Sequence, residues 1–404
     1  MTETEVVVIG GGATGVGVAR DLALRGVDVT LLERGPGLNA GTSGRSHGVL
    51  HSGARYAESD PEGAADCLQE NRILRDIAEG CVADSGGLFV RLGGDDADYF
   101  DRKLDACREI GMDPEPLSPA ELRERVSGLS EAVEEGFAIP DGVVYPSRLV
   151  AATAANAREY GATIHTDAPV VEIDADGEAD RRLTVRTGDG PTVSADVVVN
   201  AAGPWAGKVA SLAGAELGIR PTRGVMVAVD YPDLGPVVNR CREPADGDIA
   251  VPHGEQAVLG TTSVTVDDPD EFERDDWEVQ RTVEECAAML PPLADTPVER
   301  TYWGLRPLYE PDELSREGRG ISRDFAVVAH DSAPGLVSVV GGKLTTYRLM
   351  AEAVADHVCG TLGVDEPCRT AEEPLPGVGD PARLDELARE FGAVGPADAD
   401  VVGE

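Results

Sequence analysis

Lysine is almost missing from this 404-residue chain, which contains only Lys103, Lys208 and Lys343. Acidic side chains are abundant: 74 Asp and Glu residues against 35 Lys and Arg give a formal net charge of −39. This charge argues against nucleic acid as a partner and against electrostatic docking on anionic lipid. A surface rich in carboxylates and poor in lysine is typical of adaptation to molar salt, where a Debye length of roughly 3 Å screens the repulsion. We therefore predict a halophilic protein.

Cysteine motifs and long apolar runs are also missing. The seven cysteines are scattered and form no C-x-x-C pair, which indicates reduced thiols in a cytoplasmic protein and no metal site. No run reaches the roughly 18 apolar residues of a membrane span, and Val6–Ile9 is too short for a signal peptide. Hydrophobic residues make up 42% of the chain, so we expect a folded protein of two or more domains.

The N-terminal residues predict a βαβ unit. An apolar strand, Val6–Ile9, is followed by the turn Gly10-x-Gly12-x-x-Gly15, a helix over 16–25 and a second strand ending at Glu33. The glycines permit a pyrophosphate to approach the helix N-terminus, and Glu33 can accept hydrogen bonds from a ribose. The pattern predicts dinucleotide binding, but alone it does not separate FAD from NAD.

Two later segments add to this prediction, and the first bears on the choice between FAD and NAD. Residues 41–56 are crowded with small polar residues and carry two arginines and two histidines. Such a segment favours FAD, because the extended cofactor continues past its pyrophosphate towards the flavin. Near the C-terminal end, Gly341 and Gly342 precede Lys343 and a predicted helix over 345–359. A lysine in a glycine turn at a helix start suits an anion.

Several motifs occur in the order found in one known family. They are residues 41–56, Asn200–Trp205, Gly260–Ser263, Trp303–Leu308, Ser322–Asp324 and Gly341–Arg348. Over about residues 4–372 the chain resembles the FAD-dependent sn-glycerol-3-phosphate dehydrogenases of the D-amino-acid-oxidase-like superfamily. Residues 47–56 are most similar to the A subunit of the anaerobic three-subunit enzyme. The resemblance implies FAD, and oxidation of glycerol 3-phosphate to dihydroxyacetone phosphate.

The expected fold class is α/β. The resemblance implies a Rossmann-like FAD-binding domain of the D-amino-acid-oxidase/glutathione-reductase type, with an inserted mixed-sheet α+β substrate domain. We predict a discontinuous cofactor domain from 1–75, 145–215 and 325–373, and a substrate domain from 76–144 and 216–324. Residues 374–404 are expected to begin a C-terminal region. Because the family's A subunit carries a further cysteine-bearing region, both a truncated chain and a shorter lineage stay open.

The resemblance also implies the site residues. Arginine forks and a lysine suit a phosphate, and substrate binding is expected from Arg55, Tyr56, Arg306, Arg323 and Lys343. Catalysis is expected from His51, Arg306 and Lys343, with His51 as the base and His47 as the competing choice. The expected FAD-binding residues are Gly10, Gly12, Ala13, Thr14, Gly15, Glu33, Arg34, Thr42, Ser43, Arg45, Ser46, His47, Val171, Ala202, Gly203, Gly342, Lys343, Leu344 and Thr345.

The physiological setting follows from the same resemblance. We expect membrane-anchoring and electron-transfer subunits as partners, a quinone-linked acceptor, and a position at the inner face of the cell membrane. Two other functions stay open at this stage. The chain could be a related oxidase or dehydrogenase of an amine or another 2-hydroxy acid, or a non-catalytic flavoprotein that serves in assembly of a complex.

Overall fold

A computed structural model describes residues 2–174, 182–309 and 325–402. Its α-helices within these ranges are α1 (Ala13–Leu24), α2 (Pro61–Ile77), α3 (Ala97–Glu109), α4 (Pro119–Arg125), α5 (Pro146–Glu159), α6 (Ala206–Ser211), α7 (Asp276–Met289), α8 (Tyr347–Leu362) and α9 (Pro381–Glu390). Its strands are β1 (Thr2–Glu3), β2 (Val6–Ile9), β3 (Val29–Leu32), β4 (Val49–Leu50), β5 (Val82–Ala83), β6 (Gly87–Leu92), β7 (Glu115–Leu117), β8 (Val133–Ile139), β9 (Gly142–Val144), β10 (Thr163–His165), β11 (Val170–Asp174), β12 (Leu183–Thr187), β13 (Thr192–Ala195), β14 (Val197–Asn200), β15 (Ile219–Asp230), β16 (Val237–Arg240), β17 (Ile249–His253), β18 (Gln256–Gly260), β19 (Val264–Thr265), β20 (Val298–Tyr309), β21 (Phe325–Ala329) and β22 (Leu336–Gly341).

A six-stranded sheet organises the cofactor side of the molecule. Its order is β10-β3-β2-β14-β22-β21, and the first five strands are parallel. Its central strands are mostly apolar and fully buried, because both faces of the sheet are covered. Val6 and Val8 of β2 pack with α1, α5 and α8. Val7 and Ile9 point the other way and pack against the four-stranded sheet β1-β13-β12-β11.

The second large sheet of the molecule is mixed. Its order is β19-β15-β18-β17-β16-β6-β8-β7, with β20 paired antiparallel along β15. Helix α7 packs on this sheet through buried Cys286 and Met289. A small sheet, β4-β9-β5, lies where residues 49–50 leave the cofactor side. The predicted α/β fold class, a Rossmann-like sheet accompanied by a mixed sheet, is confirmed, whereas the proposed domain boundaries stay a prediction.

Two local features differ from the sequence expectation. The apolar run 325–328 is typical of a buried strand, but β21 is the antiparallel edge of its sheet and is only half-buried. The helix expected from Thr345 instead begins with a 3-10 turn, Leu344–Thr346, before α8. At the end of the described chain, α9 packs on α5 and buries Leu384 and Leu387 in the cofactor-side core. Every helix of the described ranges is too short or too polar to cross a bilayer.

Candidate cofactor and substrate site

A cavity of about 590 Å³ opens at the carboxyl ends of the parallel strands. The turn 10–14 follows β2, Glu33 follows β3 and Ala201 follows β14, and all of them line it. Ligands of open α/β sheets bind at this position, because the helix N-termini and the strand ends converge there. The cavity continues past Ser43 to His51 and Lys343. It therefore joins the glycine turn to a second polar cluster.

The glycine turn has no room for side chains. A Cβ on Gly10 would lie 2.5 Å from the carbonyl oxygen of Ala201, and one on Gly15 would overlap the carbonyl oxygen of Gly10. Gly10 also has a φ of +115°, which residues with side chains rarely adopt. Helix α1 begins after Gly12 with no side-chain cap and no acidic residue in its first turn. The turn therefore presents a helix N-terminus that suits an anion.

Glu33 is fixed before any ligand arrives. Its Oε2 accepts a hydrogen bond from the Gly11 amide at 2.7 Å, and its Oε1 accepts one from the Gly35 amide at 2.8 Å. These bonds hold the carboxylate at the edge of the cavity beside the glycine turn. A carboxylate oxygen has further lone pairs, so Glu33 can still accept hydrogen bonds from a ribose.

The polar loop after Gly41 is held by the mixed sheet and by α1. The Ala13 amide donates to Ser43 Oγ at 3.0 Å, and Thr42 Oγ1 donates to the Leu305 carbonyl at 2.6 Å. The ring of buried His253 contacts the His47 carbonyl oxygen through Nε2 at 3.1 Å. Burial lowers the pKa of His253 to about 4, which keeps this ring neutral at pH 7. The loop is therefore positioned by contacts to β17 and β20 as well as to α1.

A histidine and a tyrosine lie next to each other in the cavity wall. His51 is 7% exposed, and its ring meets the Tyr56 ring edge-on with centroids 5.4 Å apart. His47 lies 5.7 Å from His51 on the same measure. The His51 backbone amide donates to Thr345 Oγ1 at 3.0 Å, which ties this segment to the start of α8. All three rings line the cavity.

Lys343 enters the same end of the cavity. Gly341 and Gly342 both have positive φ, +81° and +74°, and turn the chain sharply after β22. The Lys343 ammonium then lies 4.6 Å from the centroid of the Tyr56 ring, as expected for a cation–π contact. Its Nζ also lies 3.4 Å from Asp60 Oδ2. The lysine is 6% exposed at its side chain and is held between an aromatic face and a carboxylate.

Arg306 reaches the cavity from the mixed sheet. Arg306 lies on β20, which pairs with β15. Its guanidinium donates hydrogen bonds from both Nη1 and Nη2 to the Thr262 carbonyl oxygen, each at 3.2 Å. A Cβ on Gly224 would lie 2.9 Å from Arg306 Nη2 and would also crowd Thr261. The glycine at 224 therefore leaves the space that Arg306 occupies. The structure brings Arg306, Lys343, Tyr56 and His51 to one cavity.

Some predicted site residues do not line this cavity. Arg55 instead pairs with buried Asp248 at 3.5 Å. Gly15 packs inside α1, Thr345 is buried under His51, and Arg45 Nε donates to the Ala40 carbonyl. The side chain of Val171 is 53% exposed and its neighbour Val170 lines the cavity, because alternate residues of a strand face opposite sides. Arg323 lies outside the described residues.

Comparison with known proteins assigns the chain to a family. The sequence profile of a family described as FAD dependent oxidoreductase matches residues 5–348. The chain belongs to this FAD-dependent oxidoreductase family. The match spans β2 to the start of α8 and therefore contains every segment that lines the cavity except Met350.

Three relatives of this FAD-dependent oxidoreductase are informative. It is 47% identical to the A1 subunit of the anaerobic glycerol-3-phosphate dehydrogenase of Haloferax volcanii, over 97% of this chain and 69% of that protein. It is 40% identical to the A subunit of the anaerobic glycerol-3-phosphate dehydrogenase of Escherichia coli K12, over 94% and 71% respectively. The crystal structure of the Bacillus halodurans glycerol-3-phosphate dehydrogenase with FAD has a TM-score of 0.71 at 25% identity, covering 99% of this chain and 77% of that chain.

The residues of the cavity fit FAD. The crowded glycine turn lets a pyrophosphate approach the start of α1, where the helix N-terminus presents backbone N–H groups besides the Ala13 amide, which donates to Ser43 Oγ. Glu33 lies where a ribose hydroxyl pair would be bound, and Val170, Val209 and Leu212 supply apolar wall beyond it. The loop at 42–47 continues the cavity towards His51. FAD, the cofactor of the family, would thus be held by its pyrophosphate at the glycine turn, with its adenosine part beside Glu33 and its flavin reaching the polar cluster.

Sequence reasoning missed several residues of the cavity. Trp205, Lys208 and Asp270 line it near Glu33, and Asp60 contacts Lys343 beside it. Lys208 could have been noticed in the sequence, because it is one of only three lysines in the chain. Asp60 and Asp270 could not, since they are two carboxylates among 74 acidic residues.

Proposed function

We propose that this chain oxidises sn-glycerol 3-phosphate to dihydroxyacetone phosphate with FAD as the cofactor. The observation that carries the proposal is that Arg306 and Lys343, from opposite sheets, line the same cavity as His51. Two cations lining one cavity suit a phosphate dianion inside a protein of net charge −39. The names of the two relatives above point to the same reaction.

The proposed mechanism assigns one task to each side chain. Arg306 and Lys343 bind the phosphate, which fixes the position of the carbon chain relative to His51. His51 accepts the proton of the C2 hydroxyl, and Tyr56, whose ring lies against it, can donate a hydrogen bond to the substrate. FAD, when bound, supplies the two-electron acceptor for the hydride that leaves C2. Burial of His51 at 7% exposure keeps bulk water away from the reacting atoms.

An anaerobic titration tests the reaction. Glycerol 3-phosphate should bleach the visible absorption of the bound flavin, whereas amines and other 2-hydroxy acids at equal concentration should not. Bleaching only by one of those compounds would replace the proposed substrate. Bound FAD that none of them reduces would indicate a non-catalytic flavoprotein. Rapid formation of peroxide in air would identify an oxidase.

Variants test the site. We expect Arg306→Ala and Lys343→Ala each to raise the KM for glycerol 3-phosphate about tenfold or more, since hydrogen bonds to charged groups are worth roughly 1.5–3 kcal/mol. Arg186→Ala is the matched control, because this arginine pairs with Glu172 on the separate four-stranded sheet. An unchanged KM in both site variants would refute the assignment. His51→Gln should slow flavin reduction far more than His47→Gln if His51 is the base.

The setting of the reaction is part of the same proposal. Both relatives are named as subunits, A1 and A, which supports partner subunits for this chain. We propose that these partners anchor it at the inner face of the cell membrane and pass its electrons to a quinone-linked acceptor. The charge of −39 with three lysines supports a halophilic, cytoplasmic environment.

A further inference from the structure

Five side chains meet over the Glu33 end of the cavity, and we refer to them as the clasp. They are Arg34, Trp205, Lys208, Asp268 and Asp270. The Asp270 carboxylate is their common partner. Its Oδ1 accepts hydrogen bonds from Trp205 Nε1 at 2.7 Å and from Arg34 Nη1 at 3.1 Å, and its Oδ2 accepts one from Lys208 Nζ at 2.7 Å. Lys208 also contacts Asp268 Oδ1 at 2.7 Å.

The clasp joins the two main sheets. Arg34 follows β3 and Trp205 follows β14, both strands of the parallel sheet. Asp268 and Asp270 follow β19 at the end of the mixed sheet. The guanidinium of Arg34 lies 4.0 Å from the centroid of the Trp205 ring, so these two are stacked as well as bridged. A segment of one sheet thus reaches across and holds two loops of the other.

The clasp lies on the cofactor cavity. Arg34, Trp205, Lys208 and Asp270 are part of its lining. Apolar residues on the same side, Val170, Val209 and Leu212, give this end the character of a slot for a flat ring. Because Glu33 lies at the ribose position of the Rossmann arrangement, the slot beyond it is the place for the adenosine part of FAD.

The contacts of Asp270 are better suited to closing the cavity than to stabilising the fold. The side chains of Lys208, Arg34 and Asp270 are 49%, 51% and 41% exposed. Ion pairs this exposed contribute little to the stability of a fold. The same contacts lie across the outer wall of a ligand cavity, where breaking them opens a path to solvent. Three donors share the Asp270 carboxylate, so most of the contact depends on this residue, while Lys208 also keeps its hydrogen bond to Asp268.

We propose that Asp270 is a cofactor-retaining residue. It holds Arg34, Trp205 and Lys208 over the adenosine end of the cavity, so that FAD leaves only when this contact opens. The proposal rests on FAD binding alone and is independent of the substrate assigned above. It concerns the rate at which the cofactor leaves and enters, which can be measured without any substrate.

The test compares the release of FAD from the holoenzyme with that from an Asp270→Asn variant. The asparagine would keep the shape of the side chain and lose its charge. Flavin fluorescence after strong dilution, at a KCl concentration where both proteins are folded, reports the release. We expect the variant to lose FAD about three to ten times faster, in line with the modest strength of exposed ion pairs. Trp205→Phe, which removes one donor and keeps an aromatic ring beneath Arg34, should give a smaller increase of the same sign.

Asp196→Asn is the matched control. Asp196 is an aspartate of similar exposure that pairs with Arg182, next to the four-stranded sheet and away from the cavity. Its FAD release should equal that of the wild type. Equal rates for Asp270→Asn and the wild type would overturn the proposal, as would an equal acceleration in Asp196→Asn. The melting temperatures of the FAD-free proteins show whether a variant releases FAD faster or has lost its fold. If Asp270→Asn lowers this melting temperature and Trp205→Phe does not, the rate of FAD release from Trp205→Phe decides the test.

Discussion

Asp60 is the carboxylate that pairs with Lys343. Its Oδ2 lies 3.4 Å from the lysine ammonium, and its carboxylate also caps α2 by accepting a hydrogen bond from the Gly63 amide at 2.9 Å. Asp66 lies near enough that its charge interacts with both Asp60 and Lys343, although burial is the main cause of its raised pKa. A phosphate that binds at Lys343 must therefore do so in the field of at least one fixed carboxylate.

This arrangement leads to a prediction for Asp60→Asn. Asparagine is as good a helix N-cap as aspartate, so α2 should be retained. Loss of the negative charge beside Lys343 should strengthen phosphate binding and lower the KM for glycerol 3-phosphate about threefold to tenfold. Steady-state kinetics in constant KCl measure the effect, with kcat expected to change little. A KM that stays the same or rises would mean that Lys343 does not face the phosphate.

Individual residues differ in how far the sequence predicts them. Gly10 and Glu33 were predictable because a turn between a strand and a helix imposes both residue types locally. The distinction between Val170 and Val171 was not, since it depends on the face that β11 turns to the cavity. The pairing of Arg55 with Asp248 was also out of reach, because 193 positions of sequence separate them (248 − 55). Contacts between distant charged residues leave no local pattern.

At the scale of elements, the last described segment braces the polar loop that follows β3. The Leu38 amide donates to the Phe391 carbonyl at 3.1 Å, Asn39 Nδ2 donates to the Ala393 carbonyl at 2.9 Å, and the Ala397 amide donates to the Gly44 carbonyl at 3.1 Å. This is the loop whose next residues line the flavin side of the cavity. The sequence of residues 374–404 gives no indication of this contact.

Asp398 anchors this segment and provides a pH-dependent test. Its carboxylate accepts a hydrogen bond from the Ser147 amide at 2.9 Å and is fully buried. Burial raises the pKa of Asp398 to about 6, although hydrogen bonds from Ser147 act in the opposite direction. The unfolded value is about 3.9, so the folded state binds the proton more tightly. Its stabilising effect is therefore complete below about pH 4 and is lost as the pH rises through about 6.

We therefore expect the wild type to lose stability relative to Asp398→Asn as the pH rises from 4 to 7. The difference should reach at most about 3 kcal/mol, because one pKa unit corresponds to about 1.4 kcal/mol. Melting temperatures of both proteins across this range measure it. Asp196→Asn, which exchanges an exposed carboxylate, corrects for the general change of charge. A difference that is constant with pH would contradict a buried titrating group at 398.

For the whole molecule, the net charge of −39 dominates. Repulsion among so many carboxylates opposes the compact state, and at about 1 M salt the Debye length of roughly 3 Å removes most of it. We expect the melting temperature to rise steadily as KCl increases from dilute buffer to molar concentration. Choline chloride at equal ionic strength distinguishes general screening from an effect of potassium. Full stability in dilute buffer would contradict adaptation to salt.

The overall fold was more predictable than its contacts. The apolar runs of β2, β14 and β22 and the helices α5 and α7 have strong local patterns, and their order suggested a cofactor sheet formed from both ends of the chain. The pattern of apolar residues along a strand shows whether one face or both faces are buried, so the sheets could be predicted. The clasp, the Asp60 contact and the brace at 391–397 arise only when these sheets pack, and their residue types are common throughout the chain.

The exposure of the lysines has a practical consequence for amine chemistry. The side chains of Lys103 and Lys343 are 2% and 6% exposed, whereas that of Lys208 is 49% exposed. Among lysine side chains, Lys208 is therefore the accessible target for an acylating dye or an activated resin, which must compete with its ion pairs to Asp268 and Asp270. A dye would then report from the mouth of the cofactor cavity, and a resin would hold the enzyme by that mouth.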